Sequence, residues 1–128
     1  MLLNQDPLSG DYIIKAIEDD CLVLPEEKIC HSCLISNQDI WHRPDITSVA
    51  QLDQAVIDKV LSLKPEIFFL GTGPKIVFPD PDLMRPLLEA NIGVEVMDTH
   101  AAARTYDVVV AENRQAAAFF ILDKPKNN

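Results

Sequence analysis

The sequence predicts an α/β domain built around a mixed β-sheet. In the first third, short apolar runs alternate with polar turns, a pattern typical of β-strands. From residue 49 onward the apolar spacing lengthens to near 3.6 residues, and helical segments alternate with apolar runs of strand length. This alternation favours parallel strands covered by helices. The 128 residues, of which 48% are hydrophobic, fit one domain at 1–128, with an ordered core at about 9–123.

The first third contains three predicted strands and one extended segment. The strands cover 12–17, 21–24 and 29–36, and polar turns separate them. A short extended piece follows around Ile40 and Trp41. Together these segments predict an antiparallel meander, with Trp41 packed in the core or at an interface.

The second part of the chain begins with a predicted helix at 49–63. Thr47 or Ser48 is expected to cap its start, and Pro65 to stop it. The apolar run at 66–70 that follows is suited to a strand buried on both faces.

A second helix is predicted to open at Asp80 or Asp82, after an extended piece at 75–78. Because Pro86 falls inside this helix, we expect a kink or a helix confined to its first turns. The remaining predicted elements are a strand at 94–97, a helix at 100–112 that ends at a left-handed Asn113, and a strand at 115–122.

The loop Gly71-Thr72-Gly73 and the pair Asp98-Thr99 each follow a predicted parallel strand. Ligands of open α/β sheets bind outside the carboxyl ends of such strands, and the helix that starts near Thr99 directs its positive end there. The loop therefore either faces a small anion or is a tight turn in which glycine supplies positive φ. The candidate ligand-binding residues are Gly71, Thr72, Gly73, Lys75, Asp98, Thr99, Arg104, Thr105 and Tyr106.

Standard nucleotide-binding motifs are absent from the sequence. Ile76 stands where a dinucleotide fingerprint needs its third glycine, and no helix follows the loop at once. The phosphate-binding loop motif is missing as well. An ordinary NAD or ATP site is therefore not expected.

Cys30 and Cys33 have the C-x-x-C spacing of redox and zinc sites. Three positions apart in one strand, they would point to opposite faces of the sheet. No second close pair of ligands accompanies them. We therefore expect reduced, buried thiols, in preference to a metal or redox site, and we expect no cofactor and no metal.

His100 lies near a predicted helix start and is either a general base or a surface or capping residue. No nucleophile motif accompanies it, so no catalytic residue is assigned. The polar run at 104–107 interrupts an otherwise apolar helix. It serves either in structural hydrogen bonds and ion pairs or in contacts with a ligand or partner.

Several stretches resemble one known family. "FFLGTG" at 68–73 is followed by "GVEVMDTHAAARTYDVVVAENR" at 93–114 and by an Ala-rich apolar strand. These motifs are similar to the Mth938-like domains, a family of unknown biochemical function. Its members include the mitochondrial NADH:ubiquinone oxidoreductase (complex I) assembly factor 3 and the adipogenesis-associated Mth938 domain-containing protein. The strongest match runs from about Pro65 to Leu122.

The resemblance implies a three-layer fold with a central mixed sheet whose last strand is antiparallel to the others. It also implies an assembly or interaction role in the mitochondrial relatives, and it brings no catalytic mechanism. Asp107 stands where relatives usually have Asn, and Asn113 where they usually have Gly. The family pattern otherwise recurs here at Gly71, Gly73, Asp98, Thr99, Ala102, Arg104, Thr105, Tyr106, Glu112 and Arg114.

The net charge of −9 argues against nucleic acid and anionic membrane surfaces as partners. The sequence shows neither a membrane-spanning run nor a targeting segment, which predicts a cytoplasmic protein. Two functions are expected. The first is a non-enzymatic binding or assembly-type protein with a protein partner, and it leaves a homodimer open. The second is an enzyme or carrier of a small anionic metabolite beside Gly71, Thr72 and Gly73.

Overall fold

The computed structural model of the chain describes residues 13–123. They form eight strands, three α-helices and one 3₁₀ turn at Val49–Gln51. The strands are β1 (Ala16–Glu18), β2 (Cys21–Val23), β3 (Lys28–Ile29), β4 (His31–Ser36), β5 (Ile40–His42), β6 (Ile67–Gly71), β7 (Gly93–Met97) and β8 (Ala116–Asp123). The helices are α1 (Gln54–Leu63), α2 (Pro81–Glu89) and α3 (Thr99–Ala111). The predictions for 1–12 and 124–128 lie outside the described residues.

A five-stranded mixed sheet in the order β5-β4-β8-β6-β7 forms the centre of the fold. Strands β7 and β8 both run parallel to β6, whereas β4 is antiparallel to β5 and β8. The α/β class with a mixed sheet is therefore confirmed. The expected direction of the last strand is wrong, because β8 is parallel to β6 and the antiparallel strand is β4. The meander is divided between two sheets, since β4 and β5 belong to this central one.

Helices α1 and α2 cover one face of the central sheet. Val56, Ile57 and Val60 of α1 and Met84 and Leu87 of α2 are buried there. They pack against alternate residues of the strands, namely Leu34, Phe68, Leu70, Ala117, Phe119 and Ile121. The spacing of the apolar residues in α1 thus places one helix face on the sheet, as expected from a period of 3.6 residues.

The opposite face is covered by α3 and by a small antiparallel sheet in the order β1-β2-β3. Buried residues of α3, among them Ala102, Tyr106 and Val110, meet Phe69 and Phe120 of the central strands. β6 and residues 116–122 of β8 are buried on both faces of the sheet, which fits their continuously apolar sequences. The result is the three-layer arrangement that the family resemblance implies.

Aspartate side chains cap all three α-helices. Asp53, Asp80 and Asp98 accept hydrogen bonds from backbone N–H groups in the first turns of α1, α2 and α3. The prediction that one helix spans 49–63 is wrong, because Val49–Gln51 is a separate 3₁₀ turn and Asp53 begins α1. Ser48 precedes the 3₁₀ turn instead, and its N–H donates to Gln51 Oε1 at 3.1 Å.

Two further predictions concern the extent of α2 and the end of α3. Pro86 lies inside α2, yet the helix continues to Glu89, so α2 is not confined to its first turns. Asn113 adopts the predicted left-handed conformation with φ 64°. Residues 76–80 form neither helix nor strand.

Cys21 and Cys30 form a disulfide. The register of the β2–β3 hairpin places Leu22 opposite Ile29, and therefore places these two cysteines opposite each other. Their Cα atoms are 4.3 Å apart, close to the roughly 4.5 Å of a non-hydrogen-bonded antiparallel pair. The expectation of reduced thiols throughout is wrong for this pair.

Cys33 is a free and buried thiol, as predicted. Burial raises the pKa of its thiol to about 12, so it stays protonated and unreactive. The chain leaves β3 at Cys30 and enters β4 at His31, so Cys30 and Cys33 do not share one continuous strand. The argument about opposite faces of a single strand therefore does not apply.

Candidate functional site at the carboxyl edge of the sheet

The loop after β6 and the start of α3 meet at the carboxyl edge of the parallel strands. The Thr72 N–H donates to the Met97 carbonyl at 2.9 Å, and the Thr99 N–H donates to the Gly73 carbonyl at 2.9 Å. The predicted convergence of the two strand ends is therefore present.

Thr99 connects the loop to the central strand β8. Its hydroxyl accepts the Gly73 N–H at 2.8 Å and donates to the Ile121 carbonyl at 2.9 Å. The side chain is buried, with 3% of the residue exposed. Thr99 thus holds three segments together from one point.

Thr72 closes the loop on its other side. Its hydroxyl donates to the Lys75 carbonyl at 2.6 Å and accepts the Val77 N–H at 3.0 Å. The N–H groups of Thr72, Gly73 and Val77 are therefore all bonded within the protein, and Pro74 has none. These three N–H groups are therefore not available to an anion.

Gly71 and Gly73 are required for two different reasons. A Cβ at Gly71 would lie 3.0 Å from Thr99 Cα and 3.1 Å from Ala102 Cβ, so glycine permits the close approach of α3 to β6. Gly73 has φ +103°, a conformation that L side chains rarely adopt, and its position is otherwise open. Both glycines therefore serve the shape of the junction.

A cavity of about 470 Å³ opens beside this junction. Its walls come from the ends of β6 and β8, the start of α3, the region of the 3₁₀ turn, and the turn between β1 and β2. The lining residues are Asp20, Thr47, Ser48, Val49, Ala50, Thr72, Gly73, Pro74, Val77, Thr99, His100, Ile121, Leu122 and Asp123. The size suits a small ligand or a few side chains of a partner.

The charged residues in the cavity wall are acidic. Asp20 and Asp123 line it, and His100 Nε2 lies 3.3 Å from Asp20 Oδ1. Among the described residues that form the wall, none is Lys or Arg. Sequence reasoning did not include Asp20 and Asp123, because only the folded turn and the end of β8 bring them to this edge.

The other predicted site residues do not line the cavity. Lys75 and Arg104 are exposed. Asp98 caps α3, and the Thr105 hydroxyl donates to the Ala101 carbonyl at 2.8 Å. Tyr106 is buried, with its ring edge-on to Phe120 at a centroid distance of 6.1 Å. Of the predicted site residues, Thr72, Gly73 and Thr99 line the cavity.

Asp107, the position where relatives usually have Asn, faces the N-terminal part of the chain. Its Oδ1 accepts the Ile14 N–H at 3.0 Å. Burial raises the pKa of this carboxyl to about 6, and the hydrogen bond from Ile14 opposes the shift. Asp107 therefore titrates in a mildly acidic range and ties α3 to the segment before β1.

Three consecutive apolar residues after the Gly71–Thr72–Gly73 loop are exposed, and the middle one reaches the cavity. Ile76 is 50% exposed, Val77 48% and Phe78 73%, and Val77 also lines the cavity. Adjacent exposed apolar side chains mark interaction surfaces more often than isolated ones do. The sequence signal was present as "KIVFP", but exposure cannot be read from apolar character alone.

The fold and the cavity define a small three-layer α/β domain with a cavity at the carboxyl edge of its parallel strands. Residues 14–121 match the family described as a protein of unknown function (DUF498/DUF598). This match spans most of the chain, and the chain belongs to that family. The recognition made from the sequence is confirmed.

Two relatives align with the chain along most of its length. The 13 kDa major membrane protein of Francisella tularensis subsp. holarctica (strain LVS) is 24% identical over 122 residues, 94% of this chain and 99% of that protein. The NADH dehydrogenase [ubiquinone] 1 alpha subcomplex assembly factor 3 of Xenopus tropicalis is 26% identical over 110 residues, 84% of this chain and 60% of that protein. The chain is therefore related to an assembly factor.

Solved structures share the fold. A Xanthomonas campestris protein superposes with a TM-score of 0.83 at 31% identity, covering 100% of this chain and 97% of its own. A Bordetella pertussis protein described as a Mth938-like domain superposes with a TM-score of 0.78 at 23% identity, covering 98% of this chain and 95% of its own.

In the described part of the chain, no helix has the length and apolar character needed to cross a bilayer.

Proposed function

We propose that the chain is a non-enzymatic binding protein of the assembly-factor type, and that it acts through protein contacts. The exposed apolar segment Ile76–Val77–Phe78 beside the cavity carries this proposal. We call this segment together with the cavity the rim surface. The relation to an assembly factor supports the same class of function.

The chemistry of the rim surface defines the partner segment. Apolar side chains of the partner would pack on Phe78 and enter the cavity beside Val77. Asp20 and Asp123 at the cavity, in a chain of net charge −9, favour a partner segment that also carries Lys or Arg. A second copy of this acidic chain matches that description less well, so a heterologous partner is preferred over a homodimer.

The alternative proposal is an enzyme or carrier of a small anionic metabolite. The position of the cavity beside Gly73 and Thr99 favours it. However, the N–H groups of Gly73 and Val77 are engaged within the protein, and neither Lys75 nor Arg104 is in the wall. The protein-binding proposal accounts for the exposed segment and the acidic wall, and the anion proposal accounts for neither.

Photo-crosslinking in the native cells tests the proposal. A photoreactive amino acid at position 78 is expected to give a discrete crosslinked species, which mass spectrometry identifies. The matched control is position 108, since Val108 is 57% exposed on α3 and does not line the cavity. Crosslinks at 78 no stronger than at 108 would overturn the proposal, and a crosslink only to the chain itself would replace the heterologous partner by a homodimer.

We also propose that the protein is cytoplasmic, as the sequence predicts. The disulfide between Cys21 and Cys30 makes this location a point to test, because disulfides are rare in the cytoplasm. Cell fractionation with thiol trapping of untagged protein measures both. Oxidised cysteines in a membrane or envelope fraction would overturn the cytoplasmic prediction.

A further inference from the structure

Strand β7 is an edge of the central sheet, since β6 is its only neighbour among the strands of residues 13–123. The two strands pair without a register shift over all five residues of β7. The Gly93 N–H donates to the Glu66 carbonyl at 3.0 Å. At the other end of the strand, the Met97 carbonyl accepts the Thr72 N–H at 2.9 Å. Gly93, Glu95 and Met97 therefore direct their backbone groups toward β6.

Val94 and Val96 direct their backbone groups away from β6, because successive residues of a strand bond to opposite sides. Each residue presents one N–H donor and one C=O acceptor at the edge. Within residues 13–123, no strand or loop bonds to these groups. The edge of β7 therefore offers a row of donors and acceptors with which a further strand can pair.

The side chains of β7 add a chemical pattern to this row. Val94 and Val96 are half-buried and pack with the apolar cluster beneath α1 and α2. Glu95 lies on the opposite face of the sheet, two residues before Met97, which packs with the cluster beneath α3. Glu95 is exposed and makes no salt bridge within residues 13–123. An added strand would thus meet an apolar, an acidic and an apolar position in turn.

The other edge of the central sheet is less suited to strand addition. β5 has three residues, and its neighbour β4 has a register shift between His31 and Cys33. Short edge strands and bulges are features by which proteins discourage pairing with other chains. β7 has five residues, a regular register and no proline. The edge of β7 is therefore the one open to a partner strand.

We propose that β7 binds an extended segment of another protein by strand addition. This segment places apolar residues opposite Val94 and Val96 and a Lys or Arg opposite Glu95. In such complexes main-chain hydrogen bonds supply affinity, and alternate side chains supply specificity. The unpaired carboxylate of Glu95 and the net charge of −9 favour the basic residue. No residue of β7 lines the cavity, so this inference does not rest on the rim surface.

A second copy of the chain fits this edge poorly. In twofold antiparallel pairing of β7, with Val94 of one copy opposite Val96 of the other, the two Glu95 side chains lie directly opposite each other. Residues at that position have Cα atoms about 4.5 Å apart, and like charges there are destabilising. Glu95 therefore opposes self-pairing and favours a basic partner.

Selection of random eight-residue peptides displayed on phage, with the full chain as bait, tests the proposal. The enriched peptides are expected to alternate apolar residues with other residues, with Lys or Arg between two apolar ones. The strongest peptide is then synthesised and bound to the chain. Hydrogen exchange at the Val94 and Val96 amides is expected to slow by about tenfold or more, because these N–H groups become bonded.

Two matched pairs of molecules examine the backbone and the charge. Methylation of the peptide nitrogens that face β7 should abolish binding, whereas methylation of the alternate nitrogens should leave it unchanged. Glu95→Lys should lower the affinity about fivefold, and a peptide with Glu in place of its basic residue should recover that loss. The control Glu26→Lys makes the same charge change in the exposed turn between β2 and β3 and should bind like the unmodified chain.

Three results would overturn the proposal. The first is enrichment of peptides without the alternation, or of none at all. The second is unchanged exchange at Val94 and Val96, or equal sensitivity to the two methylation patterns. The third is a dimer of the unmodified chain in analytical ultracentrifugation with these two amides protected, which would replace the basic partner by a second copy.

Discussion

Two neighbouring stretches at the end of β6 and just after it differ in burial and in hydrogen bonding. Gly71–Thr72–Gly73 is buried, and its N–H groups and hydroxyl are bonded to β7, α3 and the loop itself. Ile76–Val77–Phe78 is exposed and apolar. The first stretch fixes the junction of three segments, and the second is the segment that we propose binds a partner. The conspicuous glycine motif thus has an architectural role, and the inconspicuous residues after it are the candidates for binding.

The largest stability effect is expected at Thr99. Thr99→Val keeps the shape but leaves the Gly73 N–H and the Ile121 carbonyl without their buried partner. The expected loss is about 3 kcal/mol of unfolding free energy. Urea unfolding measures it against Thr105→Val, which removes a half-buried hydroxyl bonded only to the Ala101 carbonyl. Equal losses in the two variants would contradict the bridging role of Thr99.

The next effect compares two glycines at strand ends. Gly71→Ala places a Cβ 3.0 Å from the Thr99 backbone, and the expected loss is about 2 kcal/mol. At Gly93 the nearest atom would be 3.6 Å away, an ordinary contact. Gly93→Ala should therefore change stability by about 0.5 kcal/mol or less. If Gly71→Ala were as stable as Gly93→Ala, close approach would not explain this glycine.

A third effect on stability depends on pH. The carboxyl of Asp107, which connects α3 to Ile14, titrates in the folded protein. The pKa of its carboxyl is about 6 in the folded protein and 3.8 ordinarily. Between these values the folded state keeps a proton that the unfolded state has lost, so this group makes stability fall as pH rises from about 4 to 6. Asp107→Asn should remove that fall and gain about 1–2 kcal/mol above pH 6.

The difference in unfolding free energy between Asp107→Asn and the unmodified chain should therefore grow across pH 4–6 and then level off. Other carboxyls cancel in this difference. A difference that stays constant with pH would contradict the raised pKa of Asp107.

The sequence predicted local features well. Apolar periodicity located α1 and β6, and capping chemistry identified Asp80 and the Asp98–Thr99 start of α3, since these depend on neighbouring residues. It also identified the two strand ends that converge, because parallel strands must end at one edge.

The sequence did not predict the long-range pairing of strands and cysteines. The direction of β8 depends on its insertion between β4 and β6, which no local pattern specifies. The disulfide was missed although the signal existed, since a hairpin centred between Pro25 and Glu26 places Cys21 opposite Cys30. For the site, the sequence supplied Thr72, Gly73 and Thr99, but the acidic wall arises only from folding.

The smallest stability effect and the most direct test both concern Val77. The partner identified by crosslinking at position 78 is titrated into the unmodified chain, Val77→Ser and the control Val108→Ser, with the unfolding free energy of each measured alongside. We predict that Val77→Ser lowers the affinity for the partner by about tenfold or more and changes the unfolding free energy by about 0.5 kcal/mol or less. Val108→Ser is predicted to bind the partner with the affinity of the unmodified chain. Unchanged affinity in Val77→Ser, or a loss shared equally by Val108→Ser, would contradict the division between an architectural loop and a binding segment.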